Sequence, residues 1–597
     1  MVHFNFFLKE IEMRIRPLGW IIFIAVLLGL CFLIYTLASP FLQDAGLIGG
    51  EVPPTQMVGD PLQPTKPDVG AFPTDTPFEP VEPSPEQPTE PEQPVVVEDP
   101  AEGMPKVVVG LDAFAPYYTV LLAKAMHFDA KWGIDIEPIA FYSSDETSFD
   151  EAARSEMLST GQWDVLFTTS DKPSLRPQIG QVVAYTDETD GADKLICNDS
   201  VPGKILNALK GKRISFLAES IGEFAVYYYL NIPKIPVTDV ALVPNYDGVA
   251  AYDDDGNVVG GAVYDFITGK VDCVSGWEPD VDFALDYGGH VVVSTADLRI
   301  ALDTILVSNN ADQNRHDETQ AFFYAYAEAL KSLLEQPDAS ETALYEWLAT
   351  NGLEGDNWSF IYGDPGDWLG WLETTPQATL ADNIFVFRNT KQIAERMAND
   401  CRVWKSAGFD TPECEPETYL PVINPTYVQT AASISELATT ANPVNDTFLF
   451  TSQVDIPEIT QEDVQAGELL ATLPFEKIPF LPDDINLTGD AKVLLDENVC
   501  PIMQSSPGLV LNLTGSAALP PDRPGRVYNL EGSLRFAGGR ADSVKTYLTV
   551  TIEGGGCGID PDRILTGTVE PAHPRSSKLD ELEADRFVQF ELISIGY

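Results

Sequence analysis

One uncharged apolar segment constrains this chain more than any other feature of its sequence. From Pro17 to Pro40 the residues read PLGWIIFIAVLLGLCFLIYTLASP, and no charged residue lies between Leu18 and Ser39. About twenty apolar residues in a helix, at about 1.5 Å rise per residue, cross the hydrocarbon core of a bilayer. We therefore predict a transmembrane helix over residues 17–40, with Trp20–Tyr35 at its centre.

The flanking charges predict the orientation of this helix. Lys9, Arg14 and Arg16 precede it, whereas the first basic residue after it is Lys66. The positive-inside rule therefore places residues 1–16 in the cytoplasm and the bulk of the chain outside the cell. The protein is thus predicted to be a single-pass protein of the cell membrane. A cleaved signal peptide ending near Leu37-Ala38-Ser39 is the alternative, but the apolar region is long for a signal, so we favour an uncleaved signal anchor.

The composition of the whole chain excludes several classes of function. It holds 91 Asp and Glu against 36 Lys and Arg, a formal net charge of −55, and only five His. Binding to nucleic acid requires clustered basic groups that neutralise phosphates, so we expect no nucleic-acid partner. The sequence contains no CxxC pair and no recognisable nucleophile motif. We therefore expect no enzyme activity, no metal site and no cofactor.

Two segments are predicted to lack a packed core. Residues 51–105 contain fifteen prolines and a single basic residue. Such a sequence buries too little apolar surface to fold, and its prolines keep it extended. We predict a Pro/Glu-rich disordered spacer over 41–105. Residues 426–468 are richer in Thr, Asn, Ala and Pro, and we interpret them as a second linker.

Between these segments, short apolar runs alternate with helical patterns. The predicted strands are 106–111, 134–142, 163–167 and 212–216, and the predicted helices include 116–126, 151–159, 223–230, 319–334 and 342–349. This alternation predicts an α/β domain with a mostly parallel sheet covered by helices on both faces. Ligands of such sheets lie beyond the carboxyl ends of the strands. Polar turns follow three of the predicted strands, at 112–118, 168–171 and 219–223.

The cysteine count indicates disulfides. Of the seven cysteines, Cys31 lies in the apolar segment, and the other six lie in the part that we place outside the membrane, where disulfides persist. Four belong to the first globular region and two to the last. Six cysteines allow fifteen connectivities. The pairing that we expect is Cys197–Cys273, Cys401–Cys414 and Cys500–Cys557.

The region 106–425 carries a family resemblance. In combination, six segments resemble ABC-transporter solute-binding proteins of the nitrate, sulfonate, taurine and thiamine-precursor type. They are Pro116–Met126, Trp132–Ile136, Gly161–Val165, Thr189–Asp193, Leu209–Ile214 and Gly276–Pro279. The resemblance implies a periplasmic-binding-protein type 2 fold, in which two α/β lobes close on a small ligand at a hinge. It also implies delivery of that ligand to an ABC transporter permease. Carried over by position, the ligand-binding residues are Tyr117, Tyr118, Thr169, Ser170, Glu219, Ser220, Trp277 and Glu278. Glu219 departs from the small residue that anion-binding members usually carry there.

The C-terminal residues 469–597 form another compact unit, with helices predicted at 491–500 and 540–549 and strands at 509–513 and 586–593. This unit resembles a second family. The segments Leu509–Gly515, Gly539–Leu548, Gly558–Ile564 and Asp585–Val588 are similar to the α+β OmpA-like peptidoglycan-binding domain. The family's wall-binding arginine corresponds to Arg540, which the resemblance implies would hold a diaminopimelate carboxylate. Contact with peptidoglycan and a degenerate structural copy of the domain both stay open.

Two functions follow from these features. The first is a membrane-anchored extracytoplasmic solute-binding protein that captures a small polar ligand for an ABC transporter, with an OmpA-like domain at the cell wall. That ligand would resemble a sulfonate, nitrate, phosphate or thiamine precursor. The alternative is a cell-envelope structural protein that links membrane to peptidoglycan and keeps only a vestigial binding lobe.

Overall fold

The computed structural model describes residues 100–140, 151–252, 257–350, 367–438 and 466–595, except for 102, 113, 474–477, 479, 507 and 552–553. The predicted transmembrane helix and nearly all of the predicted spacer lie outside these residues. None of the helices in the described ranges is long and apolar enough to span a bilayer.

The described strands up to residue 307 form two large sheets and one small hairpin. In chain order they are β1 (Lys106–Leu111), β2 (Asp135–Ala140), β3 (Val165–Thr169), β4 (Gln181–Glu188), β5 (Asp193–Cys197), β6 (Arg213–Leu217), β7 (Ala241–Asn245), β8 (Ala251–Tyr252), β9 (Val258–Gly260), β10 (Cys273–Trp277), β11 (His290–Ser294) and β12 (Leu302–Val307).

Helices connect these strands and continue after them. They are α1 (Tyr118–Ala125), α2 (Phe128–Lys131), α3 (Glu151–Ser159), α4 (Asp171–Leu175), α5 (Ile221–Asn231), α6 (Gly261–Ile267), α7 (Phe283–Asp286), α8 (Asn309–Asn314), α9 (His316–Glu335), α10 (Pro337–Thr350), α11 (Asp367–Trp371), α12 (Leu380–Val386), α13 (Thr390–Ser406), α14 (Pro416–Tyr419) and α15 (Thr426–Ala431).

The first lobe is built on a five-stranded sheet in the order β2-β1-β3-β12-β4. All strands run in one direction except β12, which is antiparallel to both of its neighbours. Val107 and Val109 of β1 are fully buried, and a methyl group at Gly110 would overlap the ring of Trp163. This close approach of the Trp163 ring requires glycine at this position of the strand.

The second lobe is built on a sheet in the order β11-β5-β10-β6-β7, in which β5 is the one antiparallel strand. Cys197 of β5 and Cys273 of β10 are direct cross-strand partners and form a disulfide. The mostly parallel α/β architecture expected from the sequence is therefore confirmed, in two lobes. In the first lobe β4 leads to the second lobe and β12 returns from it, and in the second lobe β5 and β11 are the corresponding strands.

The chain crosses between the lobes twice, at 189–192 and at 295–301. The two crossings are hydrogen-bonded to one another: the backbone N–H of Gly191 donates to Thr295 Oγ1 over 2.9 Å, and the N–H of Thr189 donates to the carbonyl of Ala301 over 3.0 Å. Arg299 in the second crossing forms an ion pair with Asp190 in the first. These two paired crossings are the hinge region of the fold.

Helix α13 spans both lobes on the side of the hinge. It packs against α4 of the first lobe and α5 of the second. Its Trp404 ring lies 5.6 Å from the ring of Phe224 in α5, and Arg396 Nη2 donates to the carbonyl of Arg299 over 3.0 Å. The Cys401–Cys414 disulfide fixes the end of this helix to the following segment.

The first lobe extends further along the chain than the sequence predicted. Tyr427 and Val428 in α15 are fully buried, and Leu437 belongs to the same apolar core. The predicted boundary at residue 425 is therefore too early, because the Thr- and Asn-rich composition hid apolar residues at helical spacing. Residues 439–465, the rest of the predicted linker, lie outside the described ranges.

The C-terminal domain is α+β, as expected. Its described elements are β13 (Glu468–Leu473), α16 (Gly489–Asn498), α17 (Cys500–Ser505), β14 (Leu509–Gly515), α18 (Leu530–Thr549), β15 (Ile564–Thr568), α19 (Leu579–Ala584) and β16 (Val588–Ser594). The sheet order is β13-β16-β14-β15, with β16 antiparallel to β13 and β14. The third disulfide, Cys500–Cys557, completes the expected pairing.

Two helices of this domain differ from the prediction. Helix α18 begins ten residues before the predicted start at 540, because the side chain of Asn529 caps it by accepting a hydrogen bond from the N–H of Gly532 over 2.7 Å. The predicted helix at 491–500 ends at Asn498, and α17 starts separately. Pro501 lacks the N–H that a continuous helix would need at that position.

The C-terminal domain packs on the second lobe. The side chain of Asn207 pairs with the backbone of Thr472, accepting over 2.9 Å and donating over 3.0 Å. Ser594 donates a hydrogen bond to Asp297. Leu195 and Phe224 of the lobe share one apolar cluster with residues of β13 and β14. The domain and the second lobe therefore form a continuous hydrophobic core.

Candidate ligand-binding site

A pocket of about 560 Å³, partly open to solvent, lies between the two lobes. Its walls come from the ends of β1 and β3 in the first lobe, the turn after β6 and the end of β10 in the second, and the hinge crossings. This position agrees with the expectation that a ligand lies beyond the carboxyl ends of the strands. Its lining residues are Asp112, Phe114, Tyr117, Glu151, Arg154, Thr168, Thr169, Lys172, Thr189, Asp193, Ser220, Ile221, Trp277, Ala301 and Asp303.

Four of the eight residues predicted to bind ligand lie on this wall: Tyr117, Thr169, Ser220 and Trp277. Tyr117 ends a short 3₁₀ turn and donates its hydroxyl hydrogen to Asp303. Ser220 is the N-cap of α5, where its hydroxyl accepts from the N–H of Gly222 over 3.1 Å. Trp277 is the last residue of β10. Their contact with a ligand remains a prediction.

The other four predicted residues lie off the wall. Tyr118 points away because neighbouring helical residues face different directions, and its ring packs near that of Trp368. Ser170 is buried, with its N–H donating to the carbonyl of Leu302. Glu278 forms an ion pair with Lys194. For these residues the resemblance indicates a turn at the pocket, whereas the side chains themselves lie outside its lining.

Glu219 is the fourth residue off the wall, and its backbone explains the small residue usual at this position. Its φ is +58°, in the left-handed region that favours glycine. Its N–H donates to Glu223 Oε2 over 2.6 Å, and its carboxylate lies 3.7 Å from Arg176 Nη2. The side chain therefore links the second lobe to the segment after α4 at the rim of the cleft.

A buried arginine organises one wall of the pocket. Arg154 is fully buried; its Nη1 donates to Asp112 over 2.9 Å and to Glu151 over 3.1 Å, and its Nη2 donates to the carbonyl of Phe167 over 2.8 Å. Burial raises the pKa of both carboxyl groups, while the guanidinium opposes that shift. The sequence analysis did not single out Arg154; a basic residue on the apolar face of a predicted helix was the available signal.

Lys172 in α4 is the second basic group on the wall. Its ammonium lies 2.7 Å from Asp171 Oδ2 and 5.2 Å from the centre of the Trp404 ring. Both members of the ion pair are almost fully buried. The pair therefore belongs to the packed junction between the first lobe and α13.

Three carboxyl groups form the floor near the hinge. Asp187 of β4 and Asp303 of β12 are direct cross-strand partners. The Thr186 hydroxyl donates to Asp187 over 2.8 Å. Burial raises the pKa of both carboxyl groups far above the usual range. Burial also raises the pKa of Asp193 to about 7, partly offset by the hydroxyl of Thr189. These acids were not predicted as ligand-binding residues. Asp303 in particular lies in β12, which reaches the first sheet only through the second crossing.

The pocket does not have the arrangement of a metal centre. Within the described ranges, one group of three metal-ligating side chains has its donor atoms within 4.8 Å of one another: Asp496, Cys500 and Cys557, in the C-terminal domain. Its two cysteines are joined in a disulfide and so offer no thiolate. This group is therefore not a zinc site of the thiolate kind.

Arg540, the residue predicted to contact peptidoglycan, is turned into its own domain. It is 2% exposed, and its guanidinium donates to the carbonyls of Asp484 over 3.2 Å and Ser516 over 3.1 Å. The group also lies 5.1 Å from the centre of the Phe480 ring. Burial lowers its pKa to about 10. These donors hold backbone carbonyls of its own domain, and the bidentate contact of Arg540 with the wall stays a prediction.

Comparisons with known proteins give limited similarities. No protein-family model matches the chain. An ABC transporter periplasmic binding protein of Brachyspira hyodysenteriae is 24% identical, over 38% of this chain and 64% of that protein. The chain thus spans just under two thirds of this relative's length.

Solved structures give matches at lower identity. The alkanesulfonate-binding protein SsuA of Xanthomonas axonopodis pv. citri, bound to MOPS, is 16% identical with a TM-score of 0.38, over 55% of this chain and 99% of that one. The nitrate-binding protein NrtA of Synechocystis PCC 6803 is 14% identical with a TM-score of 0.38, over 56% and 90%. The two-lobed architecture is shown by the two sheets of this chain, their crossings and the pocket between them.

Proposed function

We propose that this protein is a membrane-anchored extracytoplasmic solute-binding protein, which captures a small polar molecule between two lobes and delivers it to an ABC transporter. The observation that carries the proposal is the pocket itself. It is enclosed by both lobes, and paired crossings that can act as a hinge lie at its floor. The description of the Brachyspira hyodysenteriae relative as a periplasmic binding protein supports the same role.

Ligand-dependent thermal stabilisation of the full chain tests this role. A ligand that binds the folded state at a hundred times its dissociation constant adds about 2.7 kcal/mol of stability. We expect a saturable rise in melting temperature with at least one small solute. Trp277→Ala should remove that rise, whereas Tyr287→Ala, which changes an exposed aromatic residue of the same lobe, should retain it. Failure of every small solute to shift the melting temperature would reject the role.

The anchor and spacer are part of the proposal. The apolar segment 17–40 would hold the protein in the membrane, and the proline-rich residues 41–105 would carry the lobes away from the bilayer. Alkaline carbonate extraction should leave the full chain in the membrane fraction and release a chain that lacks residues 1–40. N-terminal sequencing of the mature protein distinguishes the anchor from a cleaved signal, since cleavage would create a new terminus near Ser39.

A link to the cell wall is the second candidate, favoured by the α+β domain that follows the lobes and by its resemblance to OmpA-like domains. Sedimentation with purified peptidoglycan tests it. The link would be supported if the full chain sediments with peptidoglycan, Arg540→Ala does not, and Arg535→Ala still does. Arg535 is a suitable control because it is an exposed arginine on the same helix. Circular dichroism must show that both variants fold, because Arg540 also holds backbone carbonyls. No retention, or equal retention in both variants, would contradict it.

A further inference from the structure

The basic groups of the pocket are already committed to partners. Arg154 serves two carboxylates, Asp112 and Glu151, and Lys172 is paired with Asp171. An anionic ligand would have to compete for these cations against buried carboxylates. Removing one member of a buried ion pair leaves an uncompensated charge in a region of low polarity, which is strongly unfavourable. The basic side chains of this wall therefore offer little to an anion.

The acidic groups of the floor have the opposite character. None of the Lys and Arg side chains in the described ranges forms an ion pair with Asp187, Asp193 or Asp303. Lys194 follows Asp193 in β5 but lies on the other face of the strand, where it pairs with Glu278 and Asp282. Asp193 and Asp303 both line the pocket. A buried carboxylate without a cation is costly, so in the empty pocket such a group holds a proton, and a bound cation favours its ionised form.

Aromatic and apolar groups occupy the remaining wall. Phe114 and Tyr117 pack edge to face with ring centres 5.3 Å apart, and Trp277 faces the pocket from the second lobe. Ile221 and Ala301 add aliphatic surface. Aromatic faces attract cations, and the effect is largest where water is excluded. Carboxylates beside aromatic rings therefore suit an organic cation better than a metal ion, which requires several converging oxygen ligands.

We propose that this pocket selects a small organic cation, such as a protonated amine or a quaternary ammonium, over an anion. The nitrogen would approach Asp193 and Asp303, and the apolar part would pack against Phe114 and Trp277. This inference rests on the proposed solute-binding function and specifies the chemical class of its ligand. The position of the pocket between the two lobes limits the ligand to a small molecule.

Isothermal titration of the full chain in detergent at pH 8 tests the inference with matched probes. Benzylamine, benzyl alcohol and benzoate share one ring and differ in charge. Choline, histamine and putrescine extend the cationic arm, and nitrate, methanesulfonate and phosphate extend the anionic arm. Magnesium and calcium ions form a metal arm. We expect at least one cation to bind with one-to-one stoichiometry, at least tenfold more tightly than every anion and than benzyl alcohol.

The outcomes separate this inference from the function on which it rests. The cationic class would be overturned if an anion binds most tightly, or if benzylamine and benzyl alcohol are the best ligands and bind with equal affinity. Either result would leave the proposed solute binding intact. Binding of a metal ion alone would overturn it as well. Absence of binding by every probe would reject the cationic class, and together with the absence of any thermal shift it would reject solute binding.

Charge-neutral variants test which groups are responsible. Asp193→Asn and Asp303→Asn should each weaken the best cation by tenfold or more, whereas Asp286→Asn, which alters an exposed carboxylate of the second lobe, should bind like the native protein. Asp303 also accepts the hydrogen bond of Tyr117, so circular dichroism must show that this variant folds. If it does not fold, Asp193→Asn decides. Native affinity in the folded variants would overturn the inference.

Discussion

Replacing Asp193 by Asn should stabilise the unliganded protein at pH 8. Burial raises the pKa of this carboxyl to about 7, whereas an unfolded aspartate has a pKa near 4. The difference of about three pKa units corresponds to about 4 kcal/mol, as an upper figure, because each unit is worth about 1.4 kcal/mol. Asparagine keeps the shape of the side chain and removes the buried charge.

The sign and the pH window follow from the direction of the shift. Because the folded pKa is above the unfolded one, the contribution of Asp193 to stability is fully present below about pH 4 and is lost as pH rises to about 7. Near pH 5 most of the loss has not yet occurred. The stabilisation of Asp193→Asn should therefore be about 3 kcal/mol larger at pH 8 than at pH 5, from two pKa units.

The groups around Asp193 act in known directions. The charges of Glu278 and Asp171 raise its pKa, and the charge of Lys194 lowers it. Asp193 in turn raises the pKa of Asp187 and Asp303 across the floor. The titration of these neighbours contributes to the pH dependence of stability in both the native protein and the variant. Removing the Asp193 charge also lets the neighbouring acids ionise more easily in the variant. That response spreads the pH dependence of the stability difference over a wider pH range without changing the sign of the difference.

Thermal unfolding across pH 5 to 8 provides the measurement, with Asp286→Asn as the control for a surface carboxylate. We expect Asp193→Asn to raise the melting temperature by several degrees at pH 8 and by clearly less at pH 5, while Asp286→Asn changes it by about one degree or less at either pH. An equal shift at both pH values, or destabilisation at pH 8, would refute the assignment of an uncompensated charge to the pocket.

Further predictions concern the rest of the structure. Arg154→Met should destabilise the protein by about 3–5 kcal/mol, because it strands two buried carboxylates; Arg535→Met on an exposed helix face should change stability by less than about 0.5 kcal/mol in the same denaturant titration. Replacing Cys500 and Cys557 by Ala should lower the free energy of unfolding by about 2–5 kcal/mol, as measured by thermal unfolding. This prediction would be contradicted if a reductant had no effect on the stability of the native protein. Asn207→Ala should cost about 1–3 kcal/mol and increase hydrogen exchange in β13, because it leaves backbone groups at the junction unpaired; unchanged exchange there would argue against a tight junction.

Local sequence patterns predicted much of the fold. Lys106–Leu111 and Glu151–Ser159 have the predicted bounds, because alternation and helical spacing are read within one element. Strands β4, β5 and β12 were not predicted. Their pairing joins residues that lie far apart in the sequence, such as Thr168 and Thr304, and local periodicity carries no information on such partners.

The candidate site was predicted only in part, for a related reason. The turns after β1, β3 and β6 were expected to face a ligand, and residues of all three line the pocket, because parallel strands end at one edge of the sheet. Within those turns the sequence could not decide which side chain faces inward, as Tyr117 and Tyr118 illustrate. The charge of the pocket was missed because Asp303 arrives from the second crossing and Arg154 from the buried face of a helix.

The central claim is that a small solute binds between the two lobes, in contact with the acidic floor. A crystal structure of the full chain saturated with the tightest-binding cationic probe tests it most directly. The account predicts density for one molecule inside the pocket, with its nitrogen within hydrogen-bond distance of Asp193 or Asp303 and its apolar part against Trp277. A probe bound outside the pocket, or with its nitrogen turned away from both carboxylates, would contradict the account.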